Sequence, residues 1–158
     1  MRKSLKFGAE ISEKSTVKMT GDSGTPLLQK LGIKPGEAVT VINQPAYYAE
    51  LLGPLREGTH WVSKITRGCA FVHVCTTDPN KLKRYLIRLR SSLADAGTVW
   101  ISWPKKSARV ETRVTEDVIR ALALPLGFVD TKVCAVDETW SGLKLMIRRG
   151  NRKTAARK

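Results

Sequence analysis

Along this chain, short continuous apolar runs alternate with segments in which apolar residues recur at helical spacing. Runs rich in β-branched residues at 38–42, 70–76 and 98–103 predict strands that are covered on both faces. The clearest helix is capped by Asp78, has proline in its first turn, and ends at Gly97. Its apolar face consists of residues three or four positions apart: Leu82, Tyr85, Leu86, Leu89 and Leu93.

Three shorter helices are predicted from capping residues and prolines. The first follows Thr25-Pro26, the second is capped by Asn43 and opens at Pro45, and the third follows Thr115. Each of these caps has a side-chain oxygen that can accept a hydrogen bond from the first turn of a helix. Helices are therefore expected in most of the connections between the predicted strands.

The remaining strands decide the predicted architecture. Residues 128–136 and 143–149 predict a hairpin with a turn at 137–142. A weaker strand at 59–65 lies close to the run at 70–76, and a parallel crossover needs about a dozen residues. Either these two strands form an antiparallel hairpin, or the earlier strand is short and continues as coil. The whole pattern predicts an α/β fold of the three-layer, Rossmann-like kind, with a mostly parallel sheet and a C-terminal antiparallel hairpin.

Charge is concentrated toward the two ends of the chain. Of the net +14, residues 1–20 carry +3 (five basic, two acidic), residues 148–158 carry +6 (six basic, none acidic) and residues 21–147 carry +5. The sequence predicts a flexible basic extension at 1–20, one Rossmann-like domain at 21–149 and a basic disordered tail at 150–158. Apolar runs far shorter than the roughly 20 residues of a membrane span, and no signal-peptide pattern, predict a cytoplasmic protein without membrane contact.

Candidate ligand-binding residues follow the predicted strands, because open α/β sheets bind ligands beyond the carboxyl ends of their strands. Asn43-Gln44 follow the first strand, Thr76-Thr77 the third, and Trp103 ends the fourth. Lys105 and Lys106 come next and could grip a phosphate or a carboxylate, although a solvated loop would have the same sequence.

The turn at 137–142 is a further candidate, since it combines two acids, two hydroxyls and an indole. Asp137 and Glu138 could hold a ribose, an amine or a cation while Trp140 stacks on the ligand. The alternative, which we favour, is a structural turn in which Asp137 and Thr139 bond backbone amides and Trp140 covers the edge of the sheet.

Three stretches resemble a known family: S-G-T-P-L at 23–27, W-P-K-K at 103–106 and V-C-A-V-D-E-T-W-S-G-L at 133–143. Together with the LGIKPG and LLGPL segments, they are similar to the small bacterial proteins called domain of unknown function 3052, over roughly residues 19–149. The resemblance implies a fold and the limits of a domain, with residues 1–18 and 150–158 as extensions. It implies no activity.

The order of elements also resembles the second half of the S-adenosylmethionine-dependent methyltransferase fold, which ends in a strand, a long helix, a strand, a helix and an antiparallel hairpin. That fold needs glycines after its first strand, for close approach to the cofactor, and an acid after its second, for the ribose hydroxyls. Here Asn43-Gln44-Pro45-Ala46 follow the first strand, and 59–65 contain no acid. The first half therefore departs from the pattern, and the usual pose of S-adenosylmethionine is not expected.

Motifs of common enzymes are absent: no G-x-S-x-G, P-loop, H-E-x-x-H or paired C-x-x-C occurs. His73 lies in an apolar strand and is predicted to be buried and hydrogen-bonded, whereas His60 is predicted at the surface. Cys75 shares a strand face with His73, but a zinc site needs three or four ligands, so no metal is expected. The odd number of cysteines in apolar runs favours reduced core residues.

Three hypotheses from different classes follow. The first is a non-catalytic module that binds a small anionic ligand at the strand ends. The second is a divergent S-adenosylmethionine-dependent methyltransferase, in which Asn43 and the helix from Pro45 help to hold the cofactor. The third is association with nucleic acid, without sequence preference, through the basic tails. A ridge of Lys81, Arg84 and Arg88 on the long helix would extend that interface if it joined the tails.

Overall fold

The structure, a computed structural model, describes residues 26–152. Its strands are β1 (Ala38–Ile42), β2 (His60–Val62), β3 (Cys69–Cys75), β4 (Leu93–Pro104), β5 (Phe128–Ala135) and β6 (Trp140–Ile147). Its helices are α1 (Leu27–Leu31), α2 (Tyr48–Leu52), α3 (Pro79–Ser92) and α4 (Glu116–Ala123), and short 3-10 turns form at Lys106–Ala108, Leu124–Leu126 and Arg149–Asn151. The predicted N-terminal extension and the predicted cap Thr25 lie outside the described residues.

The strands form one six-stranded sheet in the order β2-β1-β3-β4-β6-β5. β1 to β4 are parallel, whereas β6 runs antiparallel to both β4 and β5. Buried residues of α3 and α4 pack against one face of the sheet, and those of α1 and α2 pack against the other. The predicted three-layer, Rossmann-like α/β fold with a C-terminal antiparallel hairpin is confirmed.

β2 resolves the choice that the sequence leaves open at 59–65. It has three residues and pairs in parallel with β1, while β3 lies on the other side of β1, so the two strands do not form a hairpin. Val62 and Val72 both pair with Thr40. β2 therefore ends level with Val72 of β3. The chain has to return only from there to Cys69, the first residue of β3, and the six residues at 63–68 are enough for this connection.

Two predicted boundaries are wrong for the same reason. The sequence predicts that the long helix continues past Leu93, but α3 ends at Ser92 and Leu93 already pairs with Cys69 of β3. Leu93 is buried in the core. A buried leucine suits the end of a helix and the start of a strand equally, so its spacing from the earlier leucines does not indicate where α3 ends. Likewise β6 begins at Trp140, so the turn of the hairpin is shorter than the predicted 137–142.

The local sequence is sufficient to predict where two of the helices begin. Asp78 accepts a hydrogen bond from the Asn80 amide and Thr115 accepts one from the Val118 amide, as predicted for the starts of α3 and α4. Asn43 does not cap α2, which begins five residues later after Tyr47 without a side-chain cap. The helix is shorter than predicted because the chain at 43–47 forms a loop over the end of β1.

The C-terminal end of the described chain continues past the predicted domain limit at 149. The Arg90 side chain donates hydrogen bonds to the carbonyls of Leu126 (2.9 Å) and Asn151 (3.4 Å), and Arg152 donates one to the Ile147 carbonyl (3.1 Å). Residues 150–152 are therefore packed against the domain. None of the helices between residues 26 and 152 is long and apolar enough to cross a membrane.

Candidate functional site

The order of the strands locates the point where a ligand is expected. The chain leaves β1 toward β2 and leaves β3 in the opposite direction, toward β4, so the direction of winding reverses between β1 and β3. In open α/β sheets, ligands bind outside the carboxyl ends of the strands at such a reversal. Asn43 follows β1 and Thr76 follows β3, which places two predicted site residues at this point.

Asn43 has a backbone conformation that is unusual for a residue with a side chain. Its φ of 58° lies in the left-handed region, which glycine adopts freely and asparagine tolerates. Its amide Nδ2 donates a hydrogen bond to the Tyr85 hydroxyl of α3 at 3.1 Å. The turn after β1 is therefore made by an asparagine in a conformation that glycine adopts freely, and the Asn43 side chain is tied to α3 on one face of the sheet.

A pocket of about 340 Å³ opens on the other face, beside the start of α2. It is lined by residues of the loop after β1, of α2 and of β2: Gln44, Pro45, Ala46, Tyr48, Ala49 and Trp61. Trp61 is 43% exposed because β2 is an edge strand in the described sheet, and its ring stands edge-on to Tyr48 with the centroids 6.0 Å apart. The pocket thus offers an indole surface and the Gln44 amide to a ligand.

A buried series of hydrogen bonds joins Tyr48, His73 and Ser102. The Tyr48 hydroxyl is 2.7 Å from Nδ1 of His73, and Nε2 of His73 is 2.6 Å from Oγ of Ser102. Burial lowers the pKa of His73 to about 3, so the imidazole is neutral and donates through one nitrogen while it accepts through the other. Burial also raises the pKa of Tyr48. The predicted buried, hydrogen-bonded state of His73 is confirmed, and His60 is exposed as predicted.

The turn after β5 folds inward over the sheet. One carboxylate oxygen of Asp137 accepts hydrogen bonds from the amides of Thr139 (2.8 Å) and Trp140 (2.7 Å), while Glu138 is exposed. Trp140 packs against the core cluster of α1 and α2. Asp137 thus has the structural role that we favour from the sequence. The turn is also tied to the loop after β4, since the Thr139 carbonyl accepts a hydrogen bond from the Lys105 amide at 2.7 Å.

Asp137 also affects two neighbouring groups at the carboxyl ends of β1 and β3. Burial, a hydrogen bond to Asp137 and the charge of that carboxylate all raise the pKa of Tyr47. Burial, followed by the charge of Asp137, raises the pKa of Cys75 to about 12. The Asp137 carboxylate therefore lies close to Tyr47, in the loop after β1, and to Cys75, at the end of β3.

The remaining predicted site residues lie along the same edge in different environments. Trp103 is only 8% exposed and packs in the core cluster that includes the buried leucines of α3. Thr76 is buried and its hydroxyl accepts from the Asp78 amide at 3.1 Å, whereas Thr77 is exposed. Lys106, at the start of a 3-10 turn, is exposed and Lys105 is half-buried. Whether these residues contact a ligand remains a prediction.

Of the pocket residues only Gln44 belongs to the predicted site, and Trp61 is one of those that the sequence does not predict. A single tryptophan in a weak apolar run is typical of a core residue, and only the position of β2 at the edge of the described sheet leaves it exposed. Within residues 26–152, no three histidine, cysteine or acidic side chains are grouped so that they could hold a metal ion.

No protein-family model and no curated protein matches this chain, so the resemblance to domain of unknown function 3052 has no support beyond its sequence motifs. Solved structures do match. A putative type 11 methyltransferase from Sulfolobus solfataricus is 16% identical, with a TM-score of 0.58 over 77% of this chain and 89% of that one. An S-adenosylmethionine-dependent methyltransferase from Aquifex aeolicus is 15% identical, with a TM-score of 0.55 over 77% and 87%.

Fibrillarin from Aeropyrum pernix, solved with natively bound S-adenosyl-L-methionine, is 13% identical, with a TM-score of 0.51 over 80% of this chain and 71% of that one. The chain shares the fold of these methyltransferases. At such low identities the likeness establishes the fold alone, and the chemistry has to be argued from the residues of this chain.

S-adenosylmethionine does not fit these residues in the pose that the methyltransferase resemblance implies. Ser63 and Lys64 follow β2, so no acid is present there to accept hydrogen bonds from ribose hydroxyls. Pro45 lacks an N–H group and places a ring in the loop where backbone would have to approach the cofactor. The Asp137 carboxylate lies close to Tyr47, in the loop after β1.

Proposed function

We propose that this chain is a ligand-binding protein with a methyltransferase-like fold, whose ligand is a small metabolite with a planar ring and an anionic group, such as a nucleotide. The ring would lie against Trp61 in the pocket beside α2. The observation that carries the proposal is this pocket, at the carboxyl end of β1, with an exposed indole beside an amide side chain. Aromatic side chains stack on nucleobases, and amides hydrogen-bond their edges.

The anionic group is a separate part of the proposal. Adjacent strands lie about 4.8 Å apart, so the loop after β4 begins roughly 10 Å from the loop after β1. Lys105 and Lys106 stand at the start of that loop and are the cationic residues that the sequence predicts at the strand ends. A phosphate attached to a nucleoside in the pocket would have to extend past the Asp137 carboxylate to reach them.

Methyl transfer is the second candidate function. It is favoured by the fold that this chain shares with S-adenosylmethionine-dependent methyltransferases. Under this candidate, S-adenosylmethionine would have to bind in a displaced pose, because the acid and the open backbone of the usual pose are absent. Its binding would be selective over other nucleosides.

Calorimetric titration of the full chain with AMP, adenosine, S-adenosylmethionine and S-adenosylhomocysteine separates the two candidates. The proposal expects AMP to bind with a Kd below about 100 μM, which corresponds to roughly 5.5 kcal/mol, and adenosine to bind more weakly because it lacks the phosphate. Binding of the two adenosyl cofactors with no binding of AMP would replace the proposal by the methyltransferase candidate. Silence with all four compounds would contradict both.

Substitution of Trp61 by alanine tests the position of the ring. We expect the Kd for AMP to rise about tenfold, since stacking of a base on an aromatic side chain contributes about 1–3 kcal/mol. Val133→Ala is the matched control, because Val133 is similarly exposed but lies on β5, the strand at the opposite end of the strand order from β2. Equal affinities of Trp61→Ala and Val133→Ala would place the ring elsewhere.

A further inference from the structure

The outer surface of α3 joins the loop between β2 and β3 in one basic surface, here called the basic ridge. It consists of five exposed side chains: Lys64, Arg67, Lys81, Arg84 and Arg88. Two hydrogen bonds hold the loop against the helix, one from the Arg88 guanidinium to the Ile65 carbonyl (3.4 Å) and one from the Gly68 amide to the Ser92 carbonyl. The ridge is therefore a continuous part of the folded domain.

The two segments that form the ridge contain no acidic side chain of their own. α3 and the loop at 63–68 contain seven basic residues and no acidic one, and no salt bridge between described residues involves the ridge. α4 shows the usual alternative, since Arg120 pairs there with Glu116 at 2.6 Å and with Asp130 at 2.9 Å. A surface helix whose charges serve only solubility would carry charges of both signs, as α4 does.

The folded domain carries more of the net positive charge than the sequence predicts. Residues 26–152 contain twenty basic and eleven acidic side chains, so the described domain carries +9 of the total +14. Arg148, Arg149 and Arg152, which sequence reasoning places at or near the C-terminal tail, lie in this domain. A partner attracted by positive charge would thus meet the folded surface as well as the terminal segments.

Spacing along α3 suits a linear polyanion. Lys81, Arg84 and Arg88 are three and four residues apart, so they lie on one side of the helix and span about 10 Å at 1.5 Å per residue. The loop that carries Lys64 and Arg67 is held beside the C-terminal half of the helix by the hydrogen bond from Arg88 to the Ile65 carbonyl. A nucleic-acid backbone presents closely spaced phosphates along such a path, and contacts with it need no particular base sequence.

We propose that the basic ridge binds the phosphate backbone of nucleic acid without sequence preference. Binding is measured by fluorescence anisotropy of a labelled 20-base-pair duplex DNA with the full chain at several salt concentrations. Lys81→Glu/Arg84→Glu is expected to weaken binding at least tenfold at low salt. It is also expected to reduce the slope of log K against log salt by about 1.8, from about 0.9 for each lost phosphate contact.

Lys34→Glu/Lys132→Glu is the control, because it changes the net charge equally at two exposed lysines outside the ridge. It is expected to weaken binding less than threefold. Equal loss in both variants would overturn the proposal in favour of net charge alone. Retained binding in the ridge variant would overturn it as well, and loss in Lys153→Gln/Arg157→Gln/Lys158→Gln would then assign binding to the C-terminal segment. Lys81→Ala/Arg84→Ala replaces the ridge variant if thermal melting shows that the glutamates disturb the fold.

Discussion

Replacement of His73 by alanine is expected to lower the free energy of unfolding by about 3–5 kcal/mol. The imidazole is fully buried between Tyr48 of α2 and Ser102 of β4 and bonds both hydroxyls. Alanine would leave a cavity where the ring lay and two buried hydroxyl groups without their partner. A cavity of aromatic size and each unsatisfied buried group cost free energy on this scale.

Urea unfolding followed by circular dichroism measures this loss. His60→Ala is the matched control, since His60 is exposed at the start of β2 and should change the free energy of unfolding by less than about 0.5 kcal/mol. A loss below about 1 kcal/mol for His73→Ala would mean that the buried hydrogen-bonded chain contributes little to the fold.

The same imidazole is expected to make the protein less stable in mild acid. Burial lowers the pKa of His73 from 6.5 to about 3, so between these values the unfolded chain binds a proton that the folded chain excludes. The free energy of unfolding therefore increases with pH in this window, and it decreases on acidification. From pH 7 to pH 5 the expected loss is about 2 kcal/mol, at about 1.4 kcal/mol for each full pH unit below 6.5.

His73→Phe identifies the origin of this pH dependence, because phenylalanine fills a similar volume and does not titrate. Its free energy of unfolding, although lower at pH 7, should change much less between pH 7 and pH 5. The pKa of Asp130, which the Arg120 guanidinium lowers, affects stability only at more acidic pH. Identical slopes for the native chain and His73→Phe would assign the acid sensitivity to other groups.

Local signals in the sequence are sufficient for much of the fold. Asp78 and Thr115 cap their helices, and the apolar face of α3 is the one that its leucine spacing predicts. The wrong boundaries at Leu93 and Trp140 arise because a buried or partly buried position satisfies the hydrophobic pattern in helix, strand or turn alike. The short length of β2 is set by its pairing with β1, and no local signal contains that information.

The candidate site is less predictable, because it depends on which surfaces the fold leaves open. The residues after β1, β3 and β4 lie at one edge of the sheet, as the parallel arrangement requires. Trp103 packs into the core, while Trp61, on the edge strand, lines the pocket. Asp137 accepts hydrogen bonds from amides of its own turn. Sequence composition alone could not distinguish this structural role from a ligand-binding role.

Nuclear magnetic resonance of the uniformly ¹⁵N-labelled chain titrated with AMP tests the proposed ligand site most directly. The indole N–H of Trp61 and the amides of Gln44, Ala46 and Ala49 should show the largest shifts, since these residues line the pocket. The Trp100 indole, which is buried and donates to the Leu31 carbonyl at 2.9 Å, is an internal control that should not move. Shifts confined to residues after β4, with Trp61 unchanged, would contradict the proposed site.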